Sequence, residues 1–284
     1  MAHDIDPAPP FASAWRILGL VVPALDARAG WRRRRRAMSD AEIAAGVEVL
    51  GRVPAAIEAW SDGNVRVTRA EVAVADGPVR RLARVGSGWW ADPDALAAHL
   101  EAHVGRPGAF DSVIVVYPSD GSRELAPAWG YTWADVGFLG GTGVSSIVSG
   151  DWHRWATMVD PEHGFVHEWL HQVESAYRRL GLPEDALPDL HDVTDRRTTR
   201  PDAPDRDETY VEHERRTGSW RPWYRDYMTG TVGPRSDQAS RVRGLTRERW
   251  LLRADPADRE VSPTDADRTS EPVAGRGGVY SGGV

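Results

Sequence analysis

The 284 residues include 35 basic side chains, all arginine, against 42 acidic ones, and the formal net charge of -7 argues against general polyanion binding. Hydrophobic residues make up 41% of the chain, but no run approaches the roughly 18 apolar residues a helical bilayer span needs, so no membrane span is expected. Cysteine is absent, which excludes disulfides, thiolate chemistry and Cys-ligated metal; any metal must sit on His, Asp or Glu.

The chain is acidic and proline-rich to Pro10, and residues 1–14 read as a flexible N-terminus. No export signal is evident, because the basic run Arg32 to Arg36 follows the apolar segment 17–25, the wrong order for a leader. That run has the composition of a contact for nucleic acid or anionic lipid, but a short isolated one is expected to be a solvated linker. Ile17 to Val22, closed by Pro23, predicts a buried strand. Ser39-Asp40-Ala41-Glu42 is a capping box opening a helix with Ile43, Val47 and Leu50 at helical spacing, kinked or ended near Pro54. Asn64 to Val74 changes its alternating parity near Thr68 and Arg69, which predicts a bulged strand. Asp92-Pro93 starts a helix bearing Leu96, Leu100 and Val104. Val113 to Tyr117 is apolar on both faces and is expected at the centre of a sheet. Residues 119–142 lack periodicity and read as an ordered loop, followed by a short strand at Gly143 to Val148. Asp160-Pro161-Glu162 marks the start of a helix running to about Leu180, stopped by Gly181 and Pro183. Residues 183–218 read as loop, with helical turns at Trp220 to Met228 and Leu245 to Leu252; residues 254–284 have the composition of a mobile tail.

The informative stretch lies in the helix from Asp160. His167, Glu168 and His171 form H-E-x-x-H. On a helix, residues four apart share a face, so two imidazoles reach one tetrahedral cation while the glutamate sits beside its open position. Zinc suits such ligands, and a water bound to it becomes acidic enough to give its proton to the glutamate. Val166, Trp169, Leu170, Val173, Tyr177 and Leu180 form an apolar stripe on a neighbouring side, the pattern of a helix that floors a cleft.

With these residues the chain resembles the zincin superfamily of zinc metallopeptidases, over roughly residues 15–230. The resemblance implies an α+β fold whose mixed sheet has an edge strand bordering the motif helix, and a catalytic domain spanning 15–253. It implies His167 and His171 as zinc ligands, Glu168 as general base and acid, and strand 143–148 as the strand that pairs with an extended peptide or protein substrate. Glu174 and Tyr177 stand where a metzincin would carry Gly and His, so the chain is not a metzincin. Pro183 and Pro188 break the region where a gluzincin would supply its glutamate. His191 is the favoured third ligand, ahead of Asp192, Asp189 and His213. Asp192 or Asp189 would orient a ligand imidazole, and Glu174 is better placed for that work than for ligation. Zincins often hold the oxyanion with a Tyr, His or Arg outside the helix, a role open to Tyr224 or Tyr227; a small aromatic core is the alternative for that segment. His99 and His103, with Glu101 between them, repeat the spacing but belong to a half-buried helix edge. Trp89, Trp90, Trp152 and Trp155 could stack on sugars, though such tryptophans more often anchor cores. The expectation is a zinc peptidase binding neither nucleic acid nor spanning a membrane, with a zinc amidohydrolase or a non-catalytic glycan- or peptide-binding module as alternatives.

Overall fold

A computed structural model of the chain describes residues 12–86, 88–122, 125, 130–180, 190, 217–231 and 244–252. Strand β1 (Ser13–Val21) runs into a hairpin of β2 (Ala24–Ala29) and β3 (Arg32–Ala37). The arginine run is therefore a strand and not the expected linker. Its register sets it across from Leu25, Ala27 and Ala29, which are buried, and carboxylates of Asp26, Asp120 and Glu42 receive its guanidinium groups.

Helix α1 (Asp40–Trp60) opens with the capping box of Ser39 and Glu42. It does not end at Pro54: Val53, Ile57 and Trp60 continue its buried stripe, and that packing outweighs the single backbone bond a proline forgoes. Strand β4 (Val65–Val74) lies parallel to β1, with Trp15 paired to Val67 and Arg16 to Arg69, so Thr68 is the extra residue of the bulge. The short strands β5 (Pro78–Val79), β6 (Ala83–Val85) and β7 (Gly88–Trp90) precede helix α2 (Pro93–Val104), which Asp92 caps through the Ala95 N–H. His99 and His103 are half-buried on α2, as their spacing beside Leu100 and Val104 suggests.

Strand β8 (Ser112–Pro118) is buried throughout. It is followed by β9 (Gly130–Val136), a 3-10 turn (Gly137–Leu139) and β10 (Thr142–Ser149). The mixed sheet has the order β4-β1-β8-β10-β9, with only the β10–β9 pair antiparallel. Strand β10 is thus internal. Among the described residues the sheet's edges are β4 and β9, and the one beside α4 is β9, drawn from the stretch that reads as loop, because Tyr131 and Trp133 are half-buried and no apolar run marks it. The turn from β9 to β10 uses Gly140 and Gly141 at positive φ.

Helices α3 (Trp152–Ala156), α4 (His163–Arg179), α5 (Arg221–Thr229) and α6 (Arg247–Leu251) complete the described elements. The sheet separates two cores. Ile114, Val116 and Ile147 pack with α1, α4, α5 and α6; Val113, Val115 and Val144 pack with α2 and the hairpin. Trp90, Trp152 and Trp155 are core side chains. Among the described residues no helix is long and apolar enough to cross a membrane.

Asp160 does not cap α4, which starts three residues later; its carboxylate instead accepts the hydroxyl of Ser219 and the N–H groups of Trp220 and Arg221, tying the start of α5 to the start of α4. Between these ends, the His163 ring is stacked on Trp155 and Trp220, with its Nδ1 at 2.8 Å from the Asp160 carbonyl. Burial depresses the His163 pKa to about 4 from the ordinary 6.5, so the folded protein holds this imidazole neutral. The unfolded chain takes up the proton first as pH falls. The contribution is fully present above the unfolded pKa and is lost as pH falls through the window from 6.5 towards about 4. The protein is expected to lose about 3 kcal/mol from this group by pH 4, and denaturation of His163→Phe should show a correspondingly flatter acid limb.

Candidate metal centre

Helix α4 carries the motif because its apolar stripe is consumed by the core. Phe165, Val166, Trp169, Leu170 and Val173 are buried completely, with Trp169 edge-on to Trp15 and stacked on Trp250. This fixes the rotation of the helix and sends Glu168 and Gln172 onto β9 and β10 and the neighbouring His167 towards Tyr224. Gly164, one turn before Glu168, lets the Trp155 ring pass: a Cβ there would stand 2.9 Å from Cζ2.

The two imidazoles meet at Nε2, 3.2 Å apart, with ring planes at 86°. Their Nδ1 atoms point away into fixed partners. His171 Nδ1 is 3.2 Å from Glu174 Oε2, and His167 Nδ1 is 3.1 Å from the buried Tyr224 hydroxyl. A carboxylate only accepts, so His171 carries its proton on Nδ1 and keeps a lone pair on Nε2. That lone pair faces His167 Nε2, and either a proton or a cation must lie between the two nitrogens. Two nitrogens bound at about 2.05 Å to a tetrahedral centre stand about 3.3 Å apart. The observed separation suits that geometry without rearrangement.

Glu174 is itself held. Its Oε1 accepts from the Tyr227 hydroxyl at 3.3 Å and from the backbone N–H of Leu190, which is buried against the same core. Trp223 stacks on Tyr227, and Tyr224 stacks on Trp60 of α1, so both tyrosines are locked by aromatic packing. The aromatic segment is therefore both a small core and the rear support of the two histidines; its hydroxyls are engaged with Nδ1 of His167 and the carboxylate of Glu174.

Glu168 is buried against β9. Its Oε2 accepts a 2.7 Å hydrogen bond from the Thr132 hydroxyl, and Thr132 Oγ1 is 2.8 Å from Ser145 Oγ. Gln172, one turn further along α4, donates from Nε2 to the same Ser145 oxygen at 2.6 Å. Burial raises the Glu168 pKa, and the Thr132 hydrogen bond opposes that rise, as does attraction to His171 whenever its ring is protonated. Both carboxamide and carboxylate lie flat on glycine backbone: a Cβ on Gly130 would fall 2.6 Å from Glu168 Cγ, and one on Gly143 2.6 Å from Gln172 Oε1.

The structure thus brings His167, Glu168, His171, Tyr224 and Tyr227 together. His191, Asp189, Asp192 and His213 lie outside the described residues, and among the described residues no group of three or more His, Asp or Glu could hold a metal ion. Thr132, Ser145 and Gly130 carry no motif in the sequence. Thr132 and Gly130 sit in a strand that reads as loop, and only the fold shows that their neighbour is the motif glutamate. No protein-family model matches the chain, and no curated protein matches its sequence.

Proposed function

We propose that the chain is a zinc-dependent peptidase of the zincin type. The observation that carries the reading is the convergence of His167 and His171 Nε2 at 3.2 Å, each ring braced through Nδ1, with the buried Glu168 carboxylate on the same helix face beside the sheet's edge strand. His167 and His171 would hold the ion, and His191 is the candidate third ligand; its chain neighbour Leu190 is buried and bonded to Glu174, which supports a return of the chain to the motif helix. Zinc bound there supplies a Lewis acid for the substrate carbonyl and an acidified water.

The chain's own groups do the rest. Glu168 takes a proton from the attacking water and returns it to the departing amine, and its raised pKa makes it a better base than an exposed carboxylate. Thr132 holds one carboxylate oxygen so that the group does not swing out of reach. Tyr224 and Glu174 orient the two imidazoles. Among the described residues strand β9 is paired on one side only, by β10, and an extended backbone can add to its other side. This favours a peptide over a small amide or a glycan.

The test is the metal content of purified protein together with cleavage of a mixed peptide library. One zinc per chain, lost with activity in chelator and restored with zinc, is the expected result; protein that refuses zinc on titration would sink the reading. Glu174→Gln should weaken zinc about 10- to 100-fold, because the amide has one acceptor oxygen where the carboxylate serves His171 with one and Tyr227 and Leu190 with the other. Competition with a fluorescent chelator measures that change, and an unaltered affinity would detach Glu174 from the site.

A further inference from the structure

Gln172 has no part in the mechanism above, yet it is a polar side chain only 2% exposed, one turn along α4 from Glu168. Its Nε2 donates to Ser145 Oγ at 2.6 Å and lies 3.5 Å from the Val113 carbonyl oxygen. That carbonyl settles which way the amide lies, since a flip would set Oε1 against it, acceptor against acceptor. Oε1 is left buried over Gly143, with no hydrogen-bond partner among the described residues. A side chain that only filled the space between α4 and β10 would be better apolar, because an orphaned buried acceptor costs stability. The use of an amide at this position lies in its donor.

From that donor a chain of short contacts leads to the carboxylate. Ser145 Oγ is 2.8 Å from Thr132 Oγ1, which is 2.7 Å from Glu168 Oε2. Each hydroxyl has one hydrogen and a second acceptor in reach, the Glu168 carbonyl, at 3.3 Å from Ser145 and 3.0 Å from Thr132. Two hydroxyls alone can therefore run either way, and with Thr132 donating to Ser145 the carboxylate oxygen would face a bare lone pair. An amide nitrogen cannot accept, so Ser145 must meet Gln172 as an acceptor. A hydroxyl that accepts becomes the stronger donor, and its hydrogen goes to the nearer Thr132, whose own is left for Oε2. We propose that Gln172 is a positioning residue for Glu168: through Ser145 and Thr132 it keeps a hydrogen pointed at Oε2 and leaves Oε1 as the oxygen that takes the water's proton. Among the described residues the hydrogen bonds of the carboxylate all fall on Oε2. The role rests on the reading of Glu168 as the general base.

The test compares the zinc-loaded full chain with Gln172→Met, which keeps the length of the side chain and removes the donor. A kcat about tenfold lower is expected, the equivalent of one neutral hydrogen bond, with KM and zinc content unchanged. Ser145→Ala cuts the same chain by deleting one oxygen and should match it. Adding Gln172→Met to Ser145→Ala should then lower kcat no further. Losses that multiply in the double variant would overturn the proposal, because Gln172 would not be acting through Ser145. A second readout needs no turnover: the infrared carboxylate stretch of Glu168, in protein carrying isotope-labelled glutamate and assigned by its loss in Glu168→Gln. It should shift in Gln172→Met and in Ser145→Ala, in the direction it takes in Thr132→Val; a band unmoved in both variants would overturn the proposal by itself. If the parent neither holds zinc nor cleaves peptide, the peptidase reading fails, and the band still decides whether Gln172 orders the chain. If the parent cleaves and the variants equal it, the role of Gln172 falls and the peptidase reading stands.

Discussion

Glu168→Gln is expected to keep both fold and zinc while losing hydrolysis by about 10²- to 10⁴-fold, the range general-base removal produces. The amide has the volume of the carboxylate, and its oxygen can still accept from the Thr132 hydroxyl that now bonds Oε2 at 2.7 Å. What it lacks is a site for the water's proton. His171→Ala separates the other half of the motif, since it removes one of the two converging Nε2 atoms and should abolish zinc binding along with turnover. The measurement pairs zinc content with the rate of cleavage of a library peptide. Full activity in Glu168→Gln would show that another group carries the proton, whatever the metal does.

Gly130→Ala should cost about 10²-fold in turnover with zinc content unchanged, the scale of loss when a reacting group is displaced by an ångström. The new Cβ would stand 2.6 Å from Cγ of Glu168 and 2.7 Å from both Cδ and Oε1, so the carboxylate must leave its place on β9. Gly130 pairs with Ile147 in the sheet, and the strand should persist. Thr132→Val tests the same support from the other oxygen, and Thr132→Ser should restore it because the hydroxyl returns. Equal kcat for Gly130→Ala and the parent would mean that Glu168 works from a different position.

Much of the fold was legible because the signals are local. The capping box at Ser39 and Glu42, the parity change at Thr68 and the unbroken apolar run of β8 each depend on neighbours in the chain, and each is found in the structure. The misreadings have one cause in common. Pro54, Arg32 to Arg36 and residues 130–136 all violate a local rule that long-range contacts override: core packing of Val53 and Ile57, carboxylates brought in by Asp120 and Glu42, and pairing of β9 to the internal strand β10.

The same division runs through the site. Helical periodicity alone put His167, Glu168 and His171 on one face and the apolar stripe on another, since a 3.6-residue repeat determines angular position without any tertiary contact. Periodicity says nothing of what stands opposite that face. That Tyr224, 57 residues on, holds His167 Nδ1, that Glu174 is fastened by Tyr227 and Leu190, and that Thr132 and Gly130 grip Glu168 were decided only when the sheet and helices packed. These contacts join segments far apart in the chain, and their partners are chosen by which surfaces the two cores leave facing one another.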